Sequence, residues 1–237
     1  MTKLNDPDLV RREYASEAGL AARRAAYANA EGPDAPAMVF DAVAEVSPKR
    51  VLEVGCGMGQ LAERLHEELD GDVVAIDQSE RMVELTRERG VDARVADVQE
   101  LPFGDGEFDV VVAAWMLYHV PDVERALDEI VRVLGTTGRL VTATNRPDHL
   151  KELRALVGVT RTGLEGFDAD CAQRLLPPRF GHIEERDAAG TVTFVDRDAV
   201  AAYIQPSLGI FGDVGEIPAL DRPLVVSRRP VIFVADK

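Results

Sequence analysis

The run Arg50 to Gln60, RVLEVGCGMGQ, constrains the fold of this chain more than any other stretch. Val51, Leu52 and Val54 form a short apolar segment rich in β-branched residues and stopped by glycine, the pattern of a buried parallel strand entering a tight turn. Gly55, Gly57 and Gly59 then alternate with Cys56 and Met58, and a helical pattern starts near Leu61. Glycines at such a turn permit positive φ and let a ligand approach backbone without a Cβ between. Strand, glycine turn and helix N-terminus together make the nucleotide-binding corner of a doubly wound α/β fold. The dinucleotide fingerprint requires glycine at the first, third and sixth positions, and the sixth position here is Gln60.

The segments that follow repeat the strand–helix alternation. Leu61, Leu65 and Leu69 recur every four residues, as on a helix lying against a sheet. Asp70-Gly71-Asp72 ends that helix, and Val73 to Ile76 is a second buried strand closed by Asp77. A carboxylate at this point can accept two hydrogen bonds from a ribose diol. Its other possible role is capping the next helix, which Ser79, three residues before Met82, can do instead. Arg94 to Asp97 is a third strand, Phe108 to Ala114 a fourth, and Arg139 to Thr144 a fifth. Asp122 is placed to cap a helix whose Ala126, Leu127, Ile130, Val131 and Leu134 share one face. Beyond Asn145, two helical stretches (HLKELRALVG and DADCAQRLLPPRF) precede extended pieces at His182–Arg186 and Thr191–Val195, a short helix at Asp198–Gln205, and a closing apolar strand at Val231–Ala235.

Charge narrows the partners. The formal net charge of −15 argues against nucleic acid, which is held through clustered Lys and Arg. Four lysines against 23 arginines fit either adaptation to high salt or an arginine-favouring coding bias. No run approaches the roughly 18 apolar residues of a membrane span, and the first residues lack the apolar core of a signal peptide. Cys56 and Cys171 do not suggest a disulfide framework. A cytoplasmic setting is the resulting expectation. His66, His119, His149 and His182 show no metal-ligand spacing, so no metal is expected.

Four loops carry a resemblance to a known family. The spacing Glu53-x-Gly55-x-Gly57-x-Gly59 resembles motif I of class I S-adenosylmethionine (SAM)-dependent methyltransferases. Asp97-Val98 followed by Leu101-Pro102-Phe103 resembles motif III, and Trp115-x-Leu117-x-His119-Val120 resembles the end of motif IV. In order and spacing, Arg50 to Asn145 is similar to the type 11 group, departing only where Thr136-Thr137 replaces a Pro-Gly turn. The resemblance implies a Rossmann-like, mostly parallel seven-stranded sheet with helices on both faces and an antiparallel terminal strand. It implies SAM as cofactor and S-adenosylhomocysteine as product. Cofactor contacts would come from Glu53, Gly55, Cys56, Gly57, Gly59, Asp77, Gln78, Met82, Asp97, Val98, Ala114 and Trp115. In that family an aspartate at the position of Asp97 faces the adenine amine, and the next backbone N–H meets the ring. Asp97 can also be read as a turn residue, and Trp115 as core.

The same resemblance divides the chain into a helical leader or lid over 1–47, a cofactor core over 48–147, a helical acceptor cap over 148–180 and strands over 181–237 that complete the sheet. His119 and Tyr118 are the candidate catalytic residues at the mouth of the fourth strand; His119 can also be read as a polar residue tying that loop to the helix that follows. A cysteine nucleophile is disfavoured because Asp170, not proline, precedes Cys171, and the Asn/Asp-Pro-Pro-Tyr motif of amino-methylating DNA enzymes is absent. The expected activity is methyl transfer to a small-molecule acceptor, without nucleic-acid or membrane partners and with the oligomeric state open. Two rivals stand beside it: a SAM-binding domain that modifies nothing, and an NAD(P)-dependent oxidoreductase, which Gln60 disfavours. Acceptor choice is expected in the leader from Asp8 to Ala30 and the insertion from Asp148 to Phe180. In the insertion, Arg154, Arg161 and Arg174 are spread among Leu153, Leu156, Val157, Leu164, Phe167, Leu175 and Leu176.

Overall fold

The computed structural model describes residues 4–14, 17–159, 166–207, 211 and 214–237. Three helices, α1 (Pro7–Glu13), α2 (Ala18–Tyr27) and α3 (Ala35–Ala44), precede the first strand. The core then alternates: β1 (Arg50–Val54), α4 (Gln60–Glu68), β2 (Asp72–Asp77), α5 (Glu80–Glu88), β3 (Asp92–Val95), β4 (Phe108–Ala114), α6 (Val123–Val133) and β5 (Leu134–Asn145). Helices α7 (Lys151–Leu156) and α8 (Ala169–Leu175) follow, then β6 (His182–Asp187), β7 (Gly190–Phe194), α9 (Arg197–Ile204), β8 (Leu224–Arg228) and β9 (Pro230–Asp236).

The main sheet has the order β3-β2-β1-β4-β5-β9-β6. β1 to β5 pair in parallel, and β9 runs antiparallel to both β5 and β6. Period-two alternation sorts the strand side chains to two faces. Leu52, Val54, Val74, Ile76, Val111, Ala113, Leu140 and Phe233 pack with α6 and α8 on one side. Val51, Val73, Ala75, Val110, Val112, Val141, Ile232 and Val234 pack with α3 and α4 on the other. β9 is therefore the antiparallel strand that was expected, but it lies inside the sheet rather than at its rim, and all but its last residue are buried. The rim position goes to β6, whose His-Ile-Glu-Glu-Arg-Asp sequence suits an exposed edge. The order in which successive strands are added reverses between β1 and β4, so the strand ends there open the crevice in which α/β sheets bind ligands.

Two expectations about the C-terminal half are corrected. β7 and β8 do not complete the sheet; they form a separate antiparallel pair. That pair belongs to a third apolar cluster, in which Leu150, Leu153, Val192, Phe194, Val200, Tyr203, Ile204 and Val226 pack with Tyr27 of α2. An isolated bridge between Glu31 and Thr191 ties α2's exit to β7. The insertion also splits: α7 joins this cap, whereas Phe167, Leu175 and Leu176 around α8 join the sheet core. Arg161 and Leu164 lie outside the described residues. Among the described residues no helix is long and apolar enough to cross a membrane, and Cys56 and Cys171 are both free thiols.

The glycines of the first turn differ in purpose. Gly59 has φ +77°, and a Cβ there would sit 2.6 Å from Thr86 Oγ1 and 2.9 Å from Thr86 Cα, so it lets α4 and α5 approach closely. Gly90 has a similar φ of +85° with nothing within 4 Å of its Cβ position. Gly59→Ala is expected to cost about 2–4 kcal/mol, conformational strain plus overpacking, and Gly90→Ala only about 1 kcal/mol. Chemical denaturation of the two variants checks this, and equal losses would refute the packing role of Gly59.

Candidate active site

The site grows from the ends of β1 and β2. The Ile76 carbonyl accepts from both Gly55 N–H (2.8 Å) and Cys56 N–H (3.0 Å), folding the glycine turn back over the neighbouring strand. Asp77 completes the clasp: its Oδ2 accepts from Gly57 N–H at 3.0 Å and its Oδ1 from Ser79 N–H at 2.9 Å. Ser79 Oγ caps α5 by accepting from Met82 N–H, so Asp77 is not needed for that task. Two residues that the sequence did not single out brace the turn from α5's side. Thr86 Oγ1 lies 3.3 Å from Gly57 O and 3.4 Å from Cys56 Sγ, and Arg89 Nε donates to Met58 O at 2.7 Å. An i,i+3 pair of polar residues on an otherwise packed helix face was the available signal.

A cavity of about 1370 Å³ opens over these strand ends. It exceeds the roughly 300–1,000 Å³ of a single-ligand pocket, so it has room for two ligands. Its lining includes Glu53, Gly55, Cys56, Gly57, Asp77, Gln78, Asp97, Val98, Ala114, Trp115, Tyr118 and His119, which places most of the sequence-derived set around one space. Two expected contacts do not line it. Gly59 faces Thr86, and Met82 is fully buried beneath the start of α5. Gly55 does border the cavity, but the space a Cβ would need is filled by Met116, 2.7 Å away. Only Gly57 of the three glycines presents open backbone, its nearest neighbour being Leu20 at 3.4 Å.

The electrostatics at this end are unusual. Glu53 is 4% exposed; it takes one backbone hydrogen bond, from Ala62, and its Oε2 has no partner. Burial, reinforced by the nearby Asp77, pushes its carboxyl up to about 8. Burial also raises Asp77, opposed by the N–H groups of Ser79, Gly57 and Gln78. Neither carboxylate has an ion-pair partner among the described residues. Asp97, by contrast, is exposed and accepts from both the N–H and the side-chain amide of Gln99, a turn arrangement at the cavity's edge. Trp115, directly after β4, has φ +53°, a left-handed conformation rare for a bulky residue and typical of ligand sites.

His119 is committed elsewhere. Its Nδ1 lies 3.0 Å from the Leu4 carbonyl, which can only accept, so Nδ1 carries the proton. Nε2 then accepts from the Tyr14 hydroxyl at 2.8 Å. Burial drives His119 down to about 4, so the ring is neutral. The histidine therefore ties the β4 loop to the N-terminal segment rather than to the helix that follows. Burial likewise holds the Tyr118 hydroxyl protonated, its pKa raised well above the usual value. His149, also in the cavity wall, accepts from Arg229 N–H and is pushed to about 3 by burial and by the charges of Arg154 and Arg228.

Such a parallel sheet with an acid-lined, glycine-turn crevice defines a Rossmann-like nucleotide-cofactor domain. A sequence profile described as a methyltransferase domain matches residues 52–142. The chain is 30% identical over 211 residues to the 27-O-demethylrifamycin SV methyltransferase of Amycolatopsis mediterranei, covering 76% of this chain and 77% of that one. It is 41% identical over 108 residues to the demethylmenaquinone methyltransferase of Thermus thermophilus (43% and 49% of the two chains). It is 33% identical over 152 residues to the rat arginine-hydroxylase NDUFAF5 (63% and 44%). The chain spans about half the length of those last two relatives. The N-methyltransferase NodS of Bradyrhizobium japonicum, solved with S-adenosylhomocysteine, superimposes with a TM-score of 0.58 at 14% identity, covering 94% and 99%. The chain belongs to the class I methyltransferases, type 11 group, whose cofactor is SAM.

Because both cavity histidines are neutral when folded and near 6.5 when unfolded, the unfolded chain takes up protons first as pH falls. Stability is expected to drop between about pH 6.5 and 4 with roughly 1.4 kcal/mol per pH unit from each ring. Urea titrations at pH 6.5 and 5 test this: His119→Gln should flatten the slope, and an unchanged slope would show that the ring titrates normally.

Proposed function

We propose that the protein is a SAM-dependent methyltransferase acting on a small-molecule acceptor by in-line displacement. The observation that carries this reading is the pair of buried carboxylates, Glu53 with its orphaned Oε2 and Asp77, at the end of the cavity where the glycine turn presents open backbone. A cofactor that carries an amino cation, a sulfonium and a ribose diol supplies what these acids lack. Glu53 would hold the cationic end, Asp77 the ribose hydroxyls through the lone pairs left by its two N–H contacts, and Gln78, Asp97 and Val98 the base. The bound cofactor supplies a methyl group on sulfur that needs no further activation.

What remains for the chain is to position the acceptor and exclude water, which can lower a barrier by several kcal/mol. The cap of α2, α7, α9 and the β7–β8 pair, set over the strand ends, suits that task. His119 and Tyr118 serve better as walls than as bases, since one is spent on Leu4 and Tyr14 and the other is held protonated. This favours an acceptor already nucleophilic on entry. The similarity to a protein named as a hydroxylase gives a second reading some support, a cofactor-binding domain that does not transfer methyl.

Calorimetry with SAM, S-adenosylhomocysteine and NAD tests the assignment. The first two should bind and NAD should not, and Asp77→Ala should weaken binding by about 1.5–3 kcal/mol. At pH 7 the free carboxyl of Glu53 is mostly protonated, so holding a cation should release up to roughly one proton. Titrations in buffers of different ionisation enthalpy read that number, and Glu53→Gln should abolish it. Cofactor binding without proton release would sink the role given to Glu53; turnover with an acceptor panel separates transfer from mere binding.

A further inference from the structure

The acids that line the cavity are gathered in one part of the fold. Glu53, Asp77, Glu80 and Asp97 all come from the ends of β1, β2 and β3 or the start of α5. Two further guanidinium groups of the same lining, both at least half-buried, one on α2 and one at the end of β8, have no ion-pair partner among the described residues. Arg228, at the end of β8, is 9% exposed. It donates to the Glu31 backbone carbonyl at 3.2 Å and lies 5.7 Å from the Tyr27 ring centroid, and its Nε has no partner. Arg23, on α2, donates to the Tyr14 hydroxyl at 3.5 Å and sits over that ring at 5.8 Å. The carboxylate of Glu13, which does not line the cavity, also favours its charge. Both cations act on the Tyr27 phenol, and Tyr27 is hydrogen-bonded to Tyr203 at 2.7 Å, so they flank one aromatic patch.

Of the other arginines that line the cavity, Arg11, Arg64, Arg81 and Arg146 are paired with Asp or Glu, Arg24 is exposed to solvent and Arg154 donates to the Pro147 carbonyl. A protein of net charge −15 has acids to spare for every arginine. Leaving two in a tyrosine-lined recess without one is costly unless an anion arrives to meet them. Guanidinium forks over aromatic rings suit a planar oxyanion. Arg174, by contrast, contacts Cys171 and does not line the cavity.

We propose that the methyl acceptor is an aromatic organic anion, a carboxylate or an acidic phenol, whose negative group is held by Arg228 and Arg23 against the Tyr27–Tyr203 pair. This rests on the methyltransferase reading above and names the substrate class for it. The anionic oxygen is itself the acceptor atom: its lone pair forms the new O–CH3 bond as the S–CH3 bond breaks, the sulfonium leaves as a neutral thioether and the anion becomes a neutral ester or ether, so no proton has to be removed.

The test uses the full chain saturated with S-adenosylhomocysteine and paired probes that differ in charge alone: 4-hydroxybenzoate with 4-hydroxybenzamide, and cinnamate with cinnamamide. Binding is read by calorimetry and by thermal shift. Acids should bind at least roughly tenfold more tightly than their amides, the scale of one charge-assisted hydrogen bond. Arg228→Met and Arg23→Gln should each erase most of that preference while leaving S-adenosylhomocysteine affinity unchanged. Arg23 is less buried than Arg228, so its variant keeps the test open should Arg228 prove necessary for folding. Amides binding as well as acids, no acid binding to a protein that does take S-adenosylhomocysteine, or a preference that survives in the variants would each overturn the proposal. Failure to bind S-adenosylhomocysteine at all would instead defeat the methyltransferase reading, and this proposal with it.

Discussion

Glu53 and Asp77 lie at the ends of adjacent strands, both buried and without a cation within reach among the described residues. Two carboxylates so placed repel one another and lose solvation, and the raised pKa of each records that cost. The surrounding structure offsets it by aiming backbone N–H groups at Asp77 and by fixing the turn that carries them. Thr86 and Arg89 hold that turn from α5, and the close approach of α5 depends on Gly59. The sequence Gly-x-Gly-x-Gly thus serves three separate needs: room for Met116, open backbone toward the cavity, and helix packing. Only the second is about a ligand.

The cap is assembled from segments far apart in the chain. α2, α7, α9 and the β7–β8 pair share one apolar cluster, joined to the leader by the Glu31–Thr191 bridge. The cluster is distinct from the two that sandwich the sheet. The cavity therefore lies between two separately packed bodies, one offering strand ends and acids, the other tyrosines and arginines. Long-range assembly of this kind brings Tyr27, Tyr203 and Arg228, residues spread over some 200 positions, to the lining of one cavity.

The sheet core was legible because its signals are local. Apolar β-branched runs stop at glycine or aspartate, and helices start at Ser79 and Asp122 as caps require. The crevice followed from the alternation itself. The place of β9 was not legible, since an apolar terminal strand reads the same at a rim or between two neighbours; only the polar character of β6 hints at the answer. The division of the insertion was hidden for a related reason. Leu153 and Leu175 are both apolar on short helices, and nothing local tells which core each will join. β8, a five-residue strand pairing with β7 across 30 positions, carries too little pattern to announce itself. Arg228 and Arg23 were invisible as site residues because their significance is the absence of a carboxylate partner among the described residues, which no spacing encodes.

His119 shows how one contact settles two questions. Its Nδ1–H is given to Leu4 and its Nε2 takes the Tyr14 hydroxyl, so the ring cannot also accept a proton from a substrate without breaking the link. Tyr14 in turn accepts from Arg23, and Tyr14 O lies in hydrogen-bond reach of Ser79 Oγ. The chain Arg23–Tyr14–His119–Leu4 thereby runs from α2 through the exit of α1 to the loop after β4. It carries the leader onto the cavity wall and fixes the arginine that faces the cap's tyrosines. In a burial environment that keeps histidine neutral, the residue is worth more as a rigid acceptor than as a base. Removing a proton acceptor from the mouth of the site and placing a cation there are thus one structural choice. An acceptor that arrives already charged is the chemistry that makes both sides of that choice useful.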